Sequence, residues 1–264
     1  MAVAQVPFPP SPGIVLAARS QVVPKHFTGY GSSPRLPAGP PGVHVRRTMS
    51  DALLQAVITG GTGTLGAAVA AELRHAGWSV DAPGSVELDM CRPEEIACYF
   101  STRRPDLLIC AAGITRDAPL ARLPAAVWDE VWKVGFRGAR DCARTAIPGM
   151  VERGGGHVVF ISSQSAVSPP PGQAAYATAK AALMGLTREL ARVHGLQNIR
   201  VNAILPGFLE TRMTAHVTAA RRAEVLTSHV LGRFNTCACV ARFIRHLHED
   251  LPHTSGQVFQ LDSR

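Results

Sequence analysis

The 264-residue sequence lacks the features that mark a membrane protein or a nucleic-acid-binding protein. It contains no run of about 18 consecutive apolar residues, which a membrane-spanning helix needs. It also has no cluster of Lys and Arg with aromatic residues between them. The formal net charge is +8, but residues 1–48 hold five basic residues and no acidic one, so the remaining chain carries only a small positive charge. This distribution argues against a nucleic-acid partner, and the 46% of apolar residues predicts a globular protein with a large core.

Cysteine motifs for zinc binding or disulfide exchange are also absent. The six cysteines form no Cys-x-x-Cys pair, and no histidine pair at zinc spacing lies near them. Cys237 and Cys239 form a Cys-x-Cys pair, which we interpret as two unligated thiols. We therefore predict no metal site and a reducing, cytoplasmic compartment.

The first 48 residues differ in composition from the rest of the chain. Residues 1–48 contain nine of the 20 prolines, with glycine and serine between them. Such a segment buries too little apolar surface to fold, so we predict a disordered extension. Its arginines and its lack of acidic residues also fit a transit peptide, whereas Met49, which opens MSDALLQAVITGG, fits an alternative start of the chain. A single folded domain is predicted over residues 49–264.

Apolar strands alternate with helical segments from residue 55 onward. The predicted strands are QAVITGG, WSVDAP, VELD, PDLLICAAG, HVVFISS, IRVNAILPG and GQVFQLD. Because the strands are apolar throughout, we expect a parallel sheet that helices cover on both faces. The predicted fold class is therefore α/β, with a single doubly wound Rossmann-type sheet. Residues 214–231, which follow a strand end, are predicted to form a helical, mobile flap over the ligand site.

A glycine-rich turn joins the first strand to the first helix in TGGTGTLG, residues 59–66. Gly60 and Gly63 permit a tight turn and a close approach of the backbone to a phosphate, and Gly66 lets the helix pack near the sheet. Backbone N–H groups and the positive end of the helix would then hold a pyrophosphate. Glycine turns alone are common, but in this strand–turn–helix context the motif predicts a dinucleotide-binding site.

Two later segments are expected to face the same dinucleotide. Asp89 ends the VELD strand and is predicted either to bond the adenine end or to cap the helix that begins in RPEEI. The small residues of CAAG, 110–113, suit backbone lying along a cofactor, although a simple tight turn would read the same. At the end of the second strand stand Gly84 and Ser85, and Asp81 is judged to lie too early on that strand to bond a ribose 2′-OH. Because no acidic residue is predicted at the end of the second strand, NADP(H) is the favoured cofactor, and NAD(H) stays an alternative.

A tyrosine and a lysine lie four residues apart in AAYATAKAAL, so Tyr176 and Lys180 project from the same helix face. The lysine cation favours the phenolate, so we expect it to lower the pKa of Tyr176 from its ordinary value of about 10. Ser163 stands thirteen residues before Tyr176, as suits a strand end and a helix start that face one cleft; Ser162 and Ser165 are the alternatives. Taken alone, the Tyr–Lys pair is also typical of a solvated helix face.

Together these motifs make the chain resemble the short-chain dehydrogenase/reductase family, in particular the 3-oxoacyl-acyl-carrier-protein reductases. The matching stretches cover nearly all of residues 54–262: TGGTGTLG, AAGITRD, HVVFISSQSAV, GQAAYATAKAALMGLTRELAR, IRVNAILPGFLETRMT and SGQVFQLD. The resemblance implies NADPH-dependent reduction of a 3-oxoacyl thioester to the 3-hydroxyacyl thioester in fatty-acid or polyketide-like synthesis. It also implies a homotetramer or homodimer.

The resemblance implies roles for individual residues as well. Tyr176 would donate a proton, Lys180 would support it and bond the nicotinamide ribose, and Ser163 would orient the substrate carbonyl. Arg192 lies where such reductases contact an acidic acyl carrier protein, although a solvated helix face would look the same. The implied cofactor-binding residues are Gly60, Gly61, Thr62, Gly63, Leu65, Gly66, Ser85, Asp89, Met90, Ala111, Gly113, Tyr176, Lys180, Leu209 and Thr211.

The chain departs from the family pattern at three positions. Gly135 replaces the usual Asn that holds a water of the proton relay, so we expect lower activity. Thr64 replaces a glycine of the glycine-rich turn, and Cys110 begins a turn that usually reads Asn-Asn-Ala-Gly. Two alternative functions remain: a short-chain reductase or dehydrogenase for another ketone or alcohol, and a nucleotide-binding, non-catalytic partner subunit.

Overall fold

A computed structural model of the chain describes residues 53–264, and the proline-rich extension predicted at 1–48 lies outside the described residues. Six strands form one parallel sheet in the order β2-β1-β3-β4-β5-β6. The predicted doubly wound class is confirmed, because the strand order reverses direction at β1. The strands are β1 Gln55–Thr59, β2 Ser79–Asp81, β3 Leu107–Cys110, β4 Gly156–Ile161, β5 Ile199–Leu205 and β6 Val258–Gln260.

Helices cover both faces of this sheet. Successive side chains of a strand point to opposite faces, so Leu108 and Cys110 of β3 join one hydrophobic cluster while Leu107 and Ile109 join the other. Helices α2, α4 and α5 supply the first cluster, and α1 and α7 supply the second. The helices are α1 Thr64–His75, α2 Pro93–Ser101, α3 Ala125–Trp132, α4 Gly138–Glu152, α5 Ala174–His194, α6 Ala219–Thr227 and α7 Cys237–Glu249. Within residues 53–264, none of these helices combines the length and the apolar character needed to cross a membrane.

The long helical segment after β3 is interrupted by a π-helical turn. This turn, Lys133–Arg137, separates α3 from α4, and Gly135 is buried within it. A Cβ atom at Gly135 would lie 3.3 Å from the Cβ of Ala179 on α5. Just beyond the turn, a Cβ at Gly138 would lie 2.8 Å from the Cβ of Met90, so the start of α4 packs closely against the segment before α2.

The strand predicted at VELD is wrong. Residues 85–87 form a turn instead, which the backbone bond from Leu88 N–H to the Gly84 carbonyl closes at 3.0 Å. The carboxylate of Glu87 accepts a hydrogen bond from the Gly84 N–H at 2.9 Å, and Val86 is 94% exposed. A side chain that bonds the local backbone offers this segment an alternative to strand pairing. The β1–α1–β2 unit is therefore followed by α2 with no strand between them.

The segment predicted as a flap, residues 214–231, contains α6 and packs lightly. A short 3₁₀ turn, Arg212–Thr214, leads into it from β5. Helix α6 has no buried residue, and Val230 is 88% exposed. Its helical character agrees with the prediction, and its mobility stays a prediction.

Candidate active site

The carboxyl ends of the central strands open into a cleft of about 1770 Å³. In a doubly wound sheet, ligands bind where the strand order reverses, here between β1 and β3. The α5 end nearest β4 and the flap form further walls of the cleft. All but one of the predicted site residues line it: Gly60, Thr62, Gly63, Leu65, Gly66, Ser85, Asp89, Met90, Ala111, Gly113, Ser163, Tyr176, Lys180, Leu209 and Thr211. Gly61 is the exception.

The glycine-rich turn is shaped as a close-fitting cradle. Gly60 has a φ of +70°, and a Cβ there would lie 2.9 Å from the Cα of Ala112. A Cβ at Gly66 would lie 2.4 Å from the Gly60 carbonyl oxygen, so only glycine fits where α1 packs against the turn. Gly61 faces away from the cleft, where its N–H bonds the Pro83 carbonyl at 3.0 Å.

Helix α1 begins at this cradle without a side-chain cap. Gly63 is the N-cap residue and accepts no bond through a side chain. The N–H groups of the first helical turn therefore point at the cleft without a capping oxygen, which favours an anion at this end of the helix. Small residues, positive φ and an uncapped helix start together fit the diphosphate of a dinucleotide.

The side of the cleft that is predicted to hold the adenosine is lined by Ser85, Asp89 and Met90. The Asp89 carboxylate accepts a bond from the Cys91 N–H at 2.8 Å. The cap expectation for Asp89 is wrong, because α2 starts one turn later with Arg92 as its N-cap residue and has no side-chain cap. The second carboxylate oxygen of Asp89 lies 3.5 Å from the Arg92 guanidinium, so both oxygens have local partners.

The placement of Asp81 early on the second strand is also wrong. Asp81 is the last residue of β2, because the strand pairs with β1 for only three residues. Its carboxylate, however, pairs with the Arg103 guanidinium at 2.5 Å, and it does not line the cleft. Within the described residues, the cleft at the end of β2 is lined by Gly84 and Ser85, neither of them acidic.

The structure distinguishes the three candidate serines. The Ser162 hydroxyl is 2% exposed and donates to the Lys180 carbonyl at 2.8 Å, so it serves the packing of α5 on β4. The Ser163 hydroxyl lines the cleft and accepts a bond from the Ser165 N–H at 3.1 Å. The Ser165 hydroxyl bonds the Gln173 side chain at 2.9 Å. Of the three, Ser163 is the serine that influences the pKa of Tyr176.

Tyr176 and Lys180 face the cleft from the first two turns of α5. The Lys180 ammonium is buried, donates to the Ile161 carbonyl at 2.8 Å, and lies 5.8 Å from the centre of the Tyr176 ring. Burial lowers the pKa of Lys180 to about 8. Burial raises the pKa of Tyr176 above its ordinary value; the Ser163 hydrogen bond opposes this shift and the Asp117 charge adds to it. The pKa of Tyr176 is thus raised where the sequence predicted a lowered value.

The opposite wall of the cleft places small and apolar groups beside Lys180. A Cβ at Gly113 would lie 3.3 Å from the Lys180 ammonium, so glycine leaves room for that side chain. Ala111 lines the cleft in the same turn, and Leu209, after β5, is 6% exposed. The Thr211 N–H bonds the Thr214 hydroxyl at 2.9 Å, which fixes the start of the segment that leads to the flap. These residues surround the space next to Tyr176.

Sequence reasoning missed a hydrogen-bonded chain at the mouth of the cleft. The Gln173 side chain donates to the Asp117 carboxylate at 2.8 Å and accepts from the Ser165 hydroxyl at 2.9 Å. The chain joins the loop after β3 to the loop before α5. Asp117 stands in the AAGITRD stretch, so its presence beside Tyr176 could have been expected from the motif.

Two further predicted features lie away from the cleft. Arg192 is exposed and pairs with Glu189 at 2.9 Å on the same helix, an arrangement that fits a solvated helix face and leaves the carrier-protein contact a prediction. Cys237 and Cys239 are both free thiols. Within residues 53–264, no group of three or more His, Cys, Asp or Glu side chains could hold a metal ion.

Comparisons with known proteins agree with this geometry. A family model described as enoyl-(acyl carrier protein) reductase matches residues 57–263. The chain is 33% identical to a 3-oxoacyl-[acyl-carrier-protein] reductase of Aquifex aeolicus over 78% of its own length and 85% of that protein. It is 38% identical to the enzyme of the same name from Thermotoga maritima, where the match covers 60% of the chain and slightly less than two thirds, 65%, of the relative.

A solved structure matches the fold as well. A protein of Beutenbergia cavernae assigned as an NAD(P)-dependent gluconate 5-dehydrogenase, with NADP bound at low occupancy, superposes with a TM-score of 0.72 at 28% identity. The superposition covers 80% of this chain and 95% of that one. The shared fold thus extends across nearly the whole of the solved structure.

Proposed function

Because the chain belongs to the short-chain dehydrogenase/reductase family of NAD(P)-dependent oxidoreductases, we propose that it reduces the 3-oxo group of an acyl thioester to a hydroxyl with NADPH. The observation that carries the proposal is the meeting of Ser163, Tyr176 and Lys180 in one cleft, next to the glycine-rich cradle. A solvated Tyr–Lys pair would have neither a buried lysine nor a place inside a cleft beside a serine.

The reaction needs a hydride at the carbonyl carbon and a proton at the carbonyl oxygen. A bound reduced nicotinamide supplies the hydride. Ser163 and Tyr176 both line the cleft, so we assign Ser163 to orient the carbonyl oxygen and Tyr176 to donate the proton. The raised pKa of Tyr176 keeps its hydroxyl protonated at neutral pH, as a proton donor requires.

Lys180 supports the tyrosine after its proton leaves. With a pKa of about 8, the buried ammonium is mostly charged at neutral pH, and its charge stabilises the phenolate that remains on Tyr176. Its only hydrogen bond among the described residues goes to the Ile161 carbonyl, so two ammonium hydrogens are left for a ribose hydroxyl. These positions match the roles that the resemblance implied.

The cofactor we propose is NADP(H). The diphosphate would lie on Gly60, Gly63 and the start of α1, and the ribose 2′-phosphate near Gly84 and Ser85. The acid at the end of β2, Asp81, is held by Arg103 outside the cleft, and the Glu87 carboxylate beside Gly84 is bonded to the Gly84 N–H. The structural neighbour with bound NADP supports the same choice.

The proposed substrate follows the relatives named 3-oxoacyl-[acyl-carrier-protein] reductases. We propose an acyl thioester, carried on acyl carrier protein or on coenzyme A, and place the reaction in fatty-acid or polyketide-like synthesis. Arg192, exposed on α5, is the candidate contact for an acidic carrier. A homotetramer or homodimer and a cytoplasmic location stay predictions.

A second candidate is reduction of a small hydroxylated ketone. The cleft mouth is polar, because Asp117, Gln173 and Ser165 form a continuous hydrogen-bonded chain there. Such groups bind hydroxyls of a sugar acid better than an alkyl chain. The neighbour assigned as a gluconate 5-dehydrogenase makes this class the natural comparison.

The test is NADPH oxidation with acetoacetyl-coenzyme A, acetoacetyl-acyl carrier protein and 5-ketogluconate. We expect turnover of an acetoacetyl thioester by the wild type. Tyr176→Phe should lower kcat by at least about 100-fold, the usual size of a general-acid contribution, while the Kd for NADPH stays nearly unchanged. Tyr99→Phe, which removes a hydroxyl from α2 outside the cleft, is the matched control and should retain activity.

Three outcomes would decide between the candidates. Turnover of 5-ketogluconate alone would replace the thioester with the second substrate class. Tight NADPH binding without turnover of any ketone would favour a non-catalytic partner subunit. Full activity of Tyr176→Phe would contradict the assigned proton donor.

A further inference from the structure

Arg212 joins the segment after β5 to the glycine-rich turn, although the two lie about 150 residues apart in the chain. Its guanidinium Nη2 donates to the Thr62 carbonyl, and its backbone N–H donates to the Thr64 hydroxyl at 3.3 Å. Thr64 is the first residue of α1. The guanidinium therefore lies at the rim of the cradle that the first turn of α1 and the glycines form.

Arg212 also differs in its charge environment from the other arginines of the cleft. Arg221 pairs with Glu224 at 2.5 Å, and Arg264 pairs with Asp262 at 2.5 Å. Within the described part of the chain, no carboxylate pairs with Arg212, and its remaining guanidinium donors have no hydrogen-bond partner. The positive charge of Arg212 is thus available to a ligand, whereas carboxylates neutralise the charges of Arg221 and Arg264.

The chemistry of the site specifies that ligand. A guanidinium beside uncapped helix N–H groups attracts an anion, and its planar set of donors suits a phosphate. The Thr62 side chain also packs against the segment after β2, since a Cβ at Gly84 would lie 2.6 Å from its Cγ2. A phosphate of a dinucleotide is therefore the anion that can reach both the cradle and Arg212.

We propose that Arg212 binds the bridging diphosphate of the dinucleotide and thereby fastens the flap, residues 214–231, over the cofactor. The proposal rests on the proposed function, since it takes the dinucleotide as the ligand of the cleft. Arg212 lies two residues before the flap begins, so a bond from its side chain to the cofactor restrains the flap at its base. Met213, His216 and Val217 line the cleft just beyond and would close with it.

The experiment measures binding without substrate. Fluorescence titration gives the Kd of NADPH and of NADH for the wild type, Arg212→Met, Arg212→Lys and Arg222→Met. We expect Arg212→Met to weaken both nucleotides by about tenfold, as the loss of one charge-assisted contact does. Arg212→Lys should fall between the wild type and Arg212→Met because it keeps the charge and loses the planar donors.

Arg222→Met is the matched control. It removes the same charge from the flap, but Arg222 pairs with Glu210 at 2.9 Å and does not line the cleft. We expect its Kd values within about twofold of the wild type, since exposed ion pairs contribute little. The thermal unfolding temperature of each variant is also measured. If it equals that of the wild type, a weaker Kd does not come from misfolding.

A second readout follows the flap itself. Hydrogen exchange of residues 214–231 should slow when NADPH binds the wild type, and should slow much less at saturating NADPH in Arg212→Met. Equal exchange in the two proteins would contradict a fastening role. This measurement does not depend on catalysis.

The two nucleotides distinguish the two phosphates. A loss for NADPH and NADH alike supports the diphosphate, because both carry it. A loss for NADPH alone would move the contact to the 2′-phosphate and overturn the assignment, as would unchanged Kd values for both. If the wild type binds nucleotide but reduces no thioester, only the proposed substrate fails, and the inference on Arg212 is still decided by these Kd values.

Discussion

Gly135 is the residue at which this chain departs most from the proton-relay pattern of the enzymes it resembles. The structure places it in a π-helical turn, buried against α5, where an added Cβ would lie 3.3 Å from the Cβ of Ala179. Ala179 immediately precedes Lys180. A side chain at position 135 therefore presses on the turn of α5 that holds Lys180, the proposed catalytic cation.

We expect Gly135→Asn to impair the protein instead of restoring a relay. Overfilling a packed site costs about 1–3 kcal/mol of unfolding free energy, and displacement of Ala179 shifts Lys180. The thermal unfolding temperature and kcat should both fall. The double variant Gly135→Asn/Ala179→Gly, which removes the opposing methyl, should recover part of both losses. A higher kcat at unchanged unfolding temperature in the single variant would show that the site accepts the side chain.

At the same scale, all but one of the residues that the sequence predicted for the site line one cleft, but the predicted direction of the Tyr176 pKa shift was wrong. The thirteen-residue count singled out Ser163, and the structure gives the reason: Ser162 is committed to the Lys180 carbonyl. The direction of the Tyr176 pKa shift could not be read from spacing, because burial and the nearby Asp117 charge depend on the packing of separate loops. Arg212 stands in the IRVNAILPGFLETRMT motif, but only the fold brings it to the glycine-rich turn.

Among the elements, the carboxyl end of α7 is held to the sheet by the Arg200 side chain. The Arg200 guanidinium, from β5, donates to the carbonyls of Leu247, His248 and Leu251 at 2.8–3.0 Å. The last turn of a helix has unsatisfied carbonyls and a partial negative charge, so a cation there satisfies both. Arg200 thus anchors the end of α7 to the sheet.

Arg200→Met should lower the free energy of unfolding by about 2–3 kcal/mol, since three partly buried carbonyls lose charge-assisted donors. Urea unfolding measures the change. Arg242→Met is the control. Arg242 lies on α7, is exposed, and among the described residues its side chain bonds only the Cys239 sulfur. The unfolding free energy of this variant should stay within about 0.5 kcal/mol of that of the wild type. Equal losses in both variants would contradict the anchoring role.

Secondary structure was predicted correctly where the hydrophobic pattern was long. The prediction failed where a local hydrogen bond from a side chain to the backbone determined the structure. The strands β1, β3 and β5 lie within their predicted segments, and β4 begins one residue before its own. VELD has the alternation of a strand, but the Glu87 bond to Gly84 closes a turn there. The π-helical turn Lys133–Arg137 was not predicted.

At the scale of the whole molecule, two buried histidines make the free energy of unfolding depend on pH. His157 of β4 and His248 of α7 stack with ring centres 5.5 Å apart. Burial, followed by the nearby Arg200 charge, lowers the pKa of His248 to about 4 and that of His157 well below its usual range; Asp106 opposes the shift at His248. Between pH 6.5 and pH 4 the unfolded chain therefore binds protons that the folded chain does not, so stability falls as the pH falls.

We expect His248 alone to remove about 2 kcal/mol of unfolding free energy between about pH 7 and about pH 5. Urea unfolding at the two pH values measures this loss. His248→Gln, which cannot titrate, should show a smaller difference between them, whatever its stability at neutral pH. An equally steep pH dependence in that variant would assign the acid sensitivity to other groups.

The two edges of the sheet are its shortest strands. Within the described residues, β2 and β6 each contain three residues and flank the longer central strands. A strand this short exposes few unpaired backbone groups, so another chain has little to pair with, and edge-to-edge aggregation is disfavoured. A sheet continuing from one subunit into the next would therefore have almost no backbone to build on.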